Sequence, residues 1–351
     1  MTVQPKSAEI TENTPMAGEK AANLALQGSG SHGAFTWGVL DRLLEDGRIA
    51  FDGITATSAG AVNAVVLADG LARGGRDGAR ERLRAFWKKS SEIAANSAIA
   101  PSFFDQINPN FGLEHTPGFL LNEVLTRIMS PYQLNPLDVD PLRDLLNNTI
   151  DFERVRRQKV VKLFLCATNV RTSKVKVFPR EELAAEHVLA SACMPIKMRA
   201  PDIGGDAYWD GGFMGNPAIF PVIYGCDAPD VIMVHLTPTE RSEKPTDSRA
   251  IIDRMQEIIF NSSLMREMRA IAFVTQLIDE GKMPGGKRMY MHLIEAEDVI
   301  RDLSGSSKAN GTWRLLSHLF EIGRERAETW LKAHYDQLGK ETTVDLQAKY
   351  L

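Results

Sequence analysis

The chain has 351 residues, of which 44% are hydrophobic and 25% charged, as is ordinary for a globular protein. This length suits one large domain with an extension, or two domains. The formal net charge of -4 carries no nucleic-acid signature and offers no strong attraction to anionic membranes. No apolar run approaches the ~18 residues that a membrane span needs, so any membrane contact should be peripheral.

The first twenty residues are polar and are predicted to form a disordered tail without the apolar segment of a signal peptide. Three isolated cysteines, Cys166, Cys193 and Cys226, lie among apolar residues, which indicates reduced core thiols and a cytoplasmic protein. The sequence shows no metal-ligand cluster, so neither a metal nor another cofactor is predicted. Nothing in it indicates the oligomeric state.

A predicted strand at residues 24–27 leads into a glycine-rich loop and then a helix at residues 34–45 with apolar residues at helical spacing. Such a loop points backbone N–H groups and the positive end of the helix dipole into one small space, where an oxyanion would fit. The loop also matches G-x-G-x-x-G, a dinucleotide fingerprint. It consists of Gly28, Ser29, Gly30, Ser31, His32 and Gly33.

A second small-residue motif follows a short apolar strand and precedes an apolar helix. In a nucleophile elbow, a strained strand-to-helix turn exposes a serine, and small residues are needed two positions away on either side. Ser58 has Ala56 before it and Gly60 after it at that spacing. An ordinary helix N-cap is the alternative for this serine. A dinucleotide site would need an acidic residue at the end of this strand, but Asp52 lies at its start, which favours the elbow.

Beyond the elbow helix, which Gly70 and the pair Gly74-Gly75 are predicted to end, residues 101–141 carry six prolines among aromatic and aliphatic residues. Prolines at this density interrupt regular structure, and the segment is predicted to be an insertion beside the active site. Its apolar residues pack either in the core or against lipid. Strands are then predicted at residues 160–168, 174–178, 231–234 and 289–294, and helical regions at 251–281 and 313–338.

A candidate base comes from a third motif, in which Asp210 precedes Gly211 and Gly212. The glycines allow a sharp turn that leaves the carboxylate free to approach another loop, although Asp-Gly is also a common turn dipeptide. A serine needs an adjacent base, which is usually histidine. The seven histidines lie in less suitable contexts: His235 and His292, for example, fall within predicted strands, where a structural role is expected.

Four strings resemble the patatin-like phospholipase family in its bacterial branch: LALQGSGSHGAFTWGVLDRLL, TATSAGAVNAVVLADGLARGG, LASACMPI and YWDGGFMGNPAIFPVI. The resemblance runs from about residue 23 to 234, and residues 260–281 resemble the C-terminal extension of those bacterial proteins. It implies a three-layer α/β/α fold with a mostly parallel central sheet. It further implies a Ser–Asp dyad without histidine, an oxyanion hole in the glycine loop and hydrolysis of fatty acyl esters.

Transferred to this chain, the resemblance makes Ser58 the nucleophile and Asp210 the base. The oxyanion loop is Gly28, Ser29 and Gly30, and His32 takes the basic position of that loop. Further motif residues are Gly33, Ala56, Gly60, Gly211 and Gly212. Two residues depart from the family pattern, since Ser29 and Ala56 stand where glycine is usual. If position 29 needs a positive φ, a serine there is strained by on the order of 1 kcal/mol.

The sequence therefore predicts a tail at residues 1–20, a catalytic domain at 21–240 and a mainly helical extension at 241–351. The predicted activity is hydrolysis of the fatty acyl esters of a phospholipid or related lipid by the Ser–Asp dyad, through an acyl-enzyme. The expected location is cytoplasmic, with peripheral membrane contact, and no nucleic-acid partner is predicted. Two alternatives stay open: a catalytically weak or silent lipid-binding protein on the same fold, and a dinucleotide-binding oxidoreductase.

Overall fold

The computed structural model describes residues 18–350, so most of the predicted tail lies outside the described residues. Within them, eight strands form the central sheet. The strands are β1 Lys20–Leu26, β2 Ile49–Ala56, β3 Lys162–Asn169, β4 Val175–Pro179, β5 Asp202–Ile203, β6 Asp206–Asp210, β7 Asp230–His235 and β8 Tyr290–Glu295.

The sheet is mostly parallel, as the sequence predicts. Its order is β5-β6-β3-β2-β1-β7-β8, with β4 also paired to β3. All neighbours from β3 through β2, β1 and β7 to β8 run parallel, whereas β4, β5 and β6 are antiparallel to their partners. The carboxyl ends of the five parallel strands therefore meet at one edge, where the loops of an α/β protein form its sites.

Helices cover both faces of the sheet. They are α1 Gly33–Asp46, α2 Ala59–Ala95, α3 Phe103–Ile107, α4 Pro117–Ile128, α5 Pro131–Leu134, α6 Pro141–Thr149, α7 Phe152–Arg157, α8 Ala185–Ala192, α9 Phe220–Gly225, α10 Ser248–Asp279, α11 Glu297–Arg301, α12 Trp313–His334 and α13 Leu346–Tyr350. No helix among the described residues is long and apolar enough to cross a membrane.

Alternating side chains of β1 and β7 explain the three layers. Leu24 and Leu26 of β1 join the core beneath α1, α2 and α12, whereas Ala25 joins the core beneath α9, α10 and α13. In β7, Ile232 and Met233 divide between the two cores in the same way. Successive side chains of a strand point to opposite faces, so a continuous apolar strand requires a helical layer on each side.

The C-terminal third of the chain is tied closely to this sheet. Its strand β8 pairs with β7, and its helix α12 packs on α1. The two helices can approach closely because Gly38 and Gly323 have no side chain. A Cβ at Gly38 would overlap the carbonyl oxygen of Phe320, and one at Gly323 would overlap that of Phe35. The helix that follows the glycine loop is therefore held in place by residues near the end of the chain.

The structure corrects two predictions about helices. Gly70 does not end the elbow helix, whereas the predicted break at Gly74 and Gly75 is confirmed, because both residues have non-helical φ and ψ angles where α2 bends before it continues to Ala95. The proline-rich segment is also more helical than predicted, because three of its prolines begin helices rather than interrupt them. Proline suits the first turn of a helix, where its missing N–H would have no partner. These prolines are Pro117, Pro131 and Pro141.

Candidate active site

Ser58 occupies a strained turn between β2 and α2. Its φ of 56° and ψ of -123° lie outside the regions that residues other than glycine favour, at a cost on the order of 1–3 kcal/mol. The strained turn predicted for an elbow is thus present, and the alternative of an ordinary N-cap is wrong, because the Ser58 side chain makes no capping hydrogen bond. Its amide donates to Ser191 Oγ at 2.9 Å, which helps to hold the turn.

Strand pairing brings Asp210 to this turn. Ala167 of β3 pairs with β4 on one edge and with Asp210 of β6 on the other. That second edge is the one that β2 occupies up to the pair Ala56–Leu165. Where β2 ends, β6 pairs with the same edge of β3. Asp210, the last residue of β6, therefore lies two residue positions further along β3 than Ala56 does. The elbow places Ser58 at the same level.

The Asp210 carboxylate is buried and only partly satisfied. Its Oδ1 accepts a hydrogen bond from the Gly212 amide at 2.7 Å, whereas Oδ2 has no hydrogen-bond partner in the described part of the chain. Burial raises the pKa of the carboxyl to about 6, and the Gly212 amide and the Ser58 side chain partly oppose this rise. A carboxylate with this pKa can accept a proton near neutral pH.

Gly28 has a different role from the one predicted. Its amide donates to Asn216 Oδ1 at 2.9 Å and is therefore not free to bind an oxyanion. Instead, a Cβ at this position would overlap the Cβ of Ser58 and lie 2.8 Å from the Thr57 carbonyl oxygen. Gly28 is thus required because it has no side chain, and the expectation that its amide is an oxyanion donor is wrong for this structure.

The next two residues retain the predicted character of a donor loop. Across the described residues, no acceptor is found for the amides of Ser29 and Gly30. Ser29 has a φ of -164°, which is extended backbone that any residue adopts, so the expected strain at this position is absent. Glycine is instead required at Gly30, whose φ is 55° and whose Cβ would overlap the carbonyl oxygen of Lys308.

His32 is buried and does not supply a positive charge to the loop. Its Nε2 lies 2.7 Å from Ser307 Oγ, and its Nδ1 lies 3.4 Å from Ser29 Oγ. Burial, together with the charges of Lys308 and Arg241, lowers its pKa to about 3. The imidazole is therefore neutral at pH 7, and it links the glycine loop to the turn that contains Ser307.

The other motif residues permit close approaches between backbones. A Cβ at Gly33 would lie 2.8 Å from the Ala59 Cβ, and one at Gly212 would lie 2.7 Å from the Phe260 ring. Two further glycines lie against backbone carbonyl oxygens, namely Gly60 against Leu26 and Gly211 against Cys166. Ala56 needs no special conformation, because it ends β2 in regular pairing with β1 and β3.

Three buried polar residues that sequence reasoning did not single out hold these loops. Ser191 accepts from the Ser58 amide and donates to the Cys166 carbonyl oxygen at 2.7 Å. Asn216 fixes Gly28, and Ser307 contacts His32. Ser191 and Asn216 lie within the strings LASACMPI and YWDGGFMGNPAIFPVI, so the resemblance could have pointed to them. Ser307 carries no comparable signal.

One group of described residues could hold a metal ion. The ligand atoms of His235, Glu295 and Glu297 lie within 4.8 Å of one another. The Lys349 ammonium already lies 2.5 Å from Glu295 Oε2 and 3.0 Å from Glu297 Oε1, so this lysine supplies the compensating positive charge.

The predicted structural role of His292 is confirmed by its 2.8 Å contact with Asp230. The cysteines are free and buried.

The described residues form an α/β fold, with helices on both faces of a mostly parallel sheet and a strained serine at the turn between β2 and α2. Residues 24–223 match the sequence profile described as patatin-like phospholipase, and this match covers more than half of the chain. The protein therefore belongs to the patatin-like phospholipase family.

Several solved structures are similar to the chain. VipD from Legionella pneumophila has 15% identity and a TM-score of 0.44, with 100% of this chain and 78% of VipD covered. The type III effector protein ExoU has 13% identity and a TM-score of 0.34, with 89% of this chain and 53% of ExoU covered. For the structure of the ExoU–SpcU complex from Pseudomonas aeruginosa, the identity is 14% and the TM-score 0.35, with 90% of this chain and 52% of that chain covered. The chain thus spans about half of ExoU. No functionally curated protein matches it.

Proposed function

We propose that the protein hydrolyses fatty acyl esters of lipids, with Ser58 as nucleophile and Asp210 as base. The observation that carries this proposal is the meeting of three features at the carboxyl edge of the sheet. They are the strained Ser58, a buried carboxylate with a free oxygen, and two backbone amides without acceptors. Membership in the patatin-like phospholipase family supports a lipid ester as the substrate class.

In the proposed reaction, the Ser58 hydroxyl attacks the ester carbonyl while its proton passes to Asp210 Oδ2. The carbonyl oxygen becomes an oxyanion, which the amides of Ser29 and Gly30 bind; each such donor is worth on the order of 3 kcal/mol of barrier. The protonated Asp210 then gives its proton to the leaving alkoxide, and the acyl group stays on Ser58. Water activated by the same carboxylate hydrolyses the acyl-enzyme.

An apolar surface supports a lipid as substrate and peripheral contact with a lipid layer. Most of the exposed large apolar side chains among the described residues fall in the proline-rich segment and in the first half of α10. An ion pair between Glu123 and Arg249, at 2.6 Å, joins these two regions. The side chains are Phe103, Phe104, Ile107, Leu120, Leu121, Val124, Ile128, Tyr132, Leu137, Val139, Ile251, Ile252, Met255 and Ile258.

The alternatives receive less support. A silent lipid-binding protein was suggested by Ser29 and Ala56, but Ser29 does not have the positive φ on which strain was expected, and Ala56 ends β2 in regular pairing. A dinucleotide site needs a free acidic residue for the ribose. Asp52 is already occupied, since its Oδ2 accepts from the amides of Asp227 and Ala228 at 2.6 Å and 2.9 Å.

The proposal is tested with purified protein, a short-chain nitrophenyl ester and a panel of lipids. Ser58→Ala and Asp210→Asn should each lower kcat by a factor on the order of 10⁴ or more while the fold is retained, as judged by circular dichroism. The double variant should be no worse than either single one, because the two residues act as a unit. Retention of most activity by Asp210→Asn would exclude the dyad, and equal activity of Ser58→Ala and the parent would exclude serine hydrolysis.

A further inference from the structure

The glycine loop has an anchor on each side of its two free amides. On one side, the Gly28 amide donates to Asn216 Oδ1 at 2.9 Å. On the other side, His32 Nε2 lies 2.7 Å from Ser307 Oγ. The free amides belong to residues 29–30, which lie between these anchors along the chain. Their position therefore depends on both anchors, and the second anchor comes from a residue near the end of the chain.

The Ser307 hydroxyl is committed to His32. The Ser307 side chain is fully buried, and His32 Nε2 is the hydrogen-bond partner of its hydroxyl within residues 18–350. A neutral imidazole has one N–H and one lone pair, and a hydroxyl can donate or accept, so the contact is satisfied whichever nitrogen carries the proton. The other ring nitrogen, Nδ1, makes a longer contact of 3.4 Å with Ser29 Oγ. Ser307 is thus the closer of the two hydroxyls that orient this buried ring.

The backbone of His32 is part of the turn that carries the donors. A short helical turn runs from Gly30 to His32, and the His32 amide donates to the Ser29 carbonyl oxygen at 3.2 Å. The carbonyl oxygen of Lys308, the residue after Ser307, lies directly against Gly30. Because this turn is only three residues long, a displacement of His32 must move the residues that carry the free amides.

The turn Gly305–Ala309, which supplies Ser307, has supports of its own. The Leu113 amide donates to Ser306 Oγ at 2.8 Å, and that hydroxyl donates to Glu114 Oε1 at 2.7 Å. These contacts join the turn to the proline-rich segment and do not involve the glycine loop. Ser307 is therefore a fixed point against which the loop is held.

We propose that Ser307 is a positioning residue for the oxyanion donors and acts through the neutral imidazole of His32. The proposal rests on the acyl hydrolase function above and adds to its machinery a residue from the C-terminal region. Loss of the Ser307 hydroxyl would leave a buried ring nitrogen without its closest partner, and the ring and its turn would then shift. Donors that bind an oxyanion must be fixed before the reaction, so this shift would slow acylation.

Steady-state kinetics of the full chain on a soluble short-chain nitrophenyl ester test the proposal. Ser307→Ala should lower kcat about 10-fold or more and change KM by less than about twofold, because the oxyanion exists only in the transition state. His32→Gln should cause a similar loss. Ser307→Ala added to His32→Gln should lower kcat by less than a further factor of about two, because both changes break the same contact. Ser307→Cys retains a weak donor of similar size and should recover part of the loss.

Ser306→Ala is the matched control. It removes a neighbouring hydroxyl of the same turn, which is 7% exposed and contacts Glu114 instead of the glycine loop. This variant should have a lower Tm but a kcat within about twofold of the parent, since the contact with His32 remains. Hydrogen exchange of the peptide that covers residues 24–36 measures the order of the loop without catalysis. Its exchange should be faster in Ser307→Ala than in Ser306→Ala.

The outcomes separate this proposal from the hydrolase proposal. An unchanged kcat in Ser307→Ala, or an equal fall in Ser306→Ala, would overturn the positioning role while the hydrolase function stands. A higher KM with unchanged kcat would indicate a contact with substrate and would also overturn it. Losses that multiply in the double variant would mean that Ser307 does not act through His32. Absence of ester hydrolysis by the parent would contradict the hydrolase function, and hydrogen exchange alone would then decide whether Ser307 fixes the loop.

Discussion

Two regions of the molecule differ sharply in how they are packed. The glycine loop and the elbow are largely buried, apart from the exposed Gly30, and added methyl groups at several of their glycines would overlap neighbouring atoms. The proline-rich segment at residues 103–139 and the first half of α10 instead leave large apolar side chains in water. The two regions adjoin, since Gln256 of α10 contacts the Met194 sulfur at 3.8 Å, three residues after Ser191, which accepts from the Ser58 amide.

This difference matches two physical requirements of the proposed hydrolysis of lipid esters. Stabilisation of an oxyanion needs donors that are fixed before the reaction, because reorientation during the reaction would cost free energy. Contact with lipid needs an apolar area that is exposed on the protein surface and can be buried in the lipid layer. The first region is rigid because it is close-packed, and the second is apolar without being packed.

The largest effect is expected from a methyl group at the centre of the packed region. Gly28→Ala places a Cβ against that of Ser58 and should move the serine or the loop. A displacement near 1 Å can cost about 100-fold in rate, so kcat/KM should fall by that order. The control is Gly74→Ala, because neither Gly28 nor Gly74 has a positive φ but Gly74 has open space around it. Equal activity of the two variants would mean that the loop is not rigid.

The next effect concerns stability and the pKa of Asp210. The folded protein binds a proton at this carboxyl more tightly than the unfolded chain does, since its pKa rises from 3.8 to about 6. The free energy of unfolding should therefore fall as pH rises through this interval. Above about pH 6 the carboxylate is ionised in both states, and the full penalty for burying its charge lowers the stability of the fold. Asp210→Asn removes the penalty and should stabilise the fold at pH 8 by about 1–3 kcal/mol, but not at pH 4.

Chemical denaturation at both pH values measures this difference. The parent enzyme should also lose kcat/KM below about pH 6, because a base must be ionised to accept a proton. A variant that is equally stabilised at pH 4 and pH 8 would owe its stability to something other than the buried charge.

The exposed region is tested with two phenylalanines. Phe103 is 71% exposed and Phe104 is 66% exposed, so the alternative that they are core residues is wrong. Their joint replacement by serine should lower activity on micellar long-chain lipid about 10-fold and leave Tm and the hydrolysis of soluble short-chain ester unchanged, because about 25 cal/mol per Å² of apolar contact is lost. Phe273→Ser, at a residue of α10 with 60% exposure, is the control. A large fall in Tm would contradict this interpretation.

The sequence predicts the packed region better than the exposed one, for a physical reason. A strained turn requires small residues at fixed spacing, and buried strands require apolar ones, so the elbow and the strands of the sheet leave local signals. The segment at residues 101–141 is predicted from its sequence to be irregular, because proline density does not distinguish a broken helix from several helices that begin at proline. Long-range partners leave no signal, so Ser307 and Lys308 could not be assigned to the loop.

The smallest effect is expected at Ser29, where the sequence suggested strain. Its φ of -164° is accessible to any residue, so Ser29→Gly relieves no backbone strain. The change removes the hydroxyl that lies 3.4 Å from His32 Nδ1 and makes the donor loop more flexible. We therefore expect kcat on a short-chain nitrophenyl ester to change by less than about fivefold, because conformational effects of glycine are on the order of 0.5–1 kcal/mol. A large increase in kcat would mean that the serine holds its amide away from the oxyanion, and the packed region would then be less well adapted to catalysis than its geometry indicates.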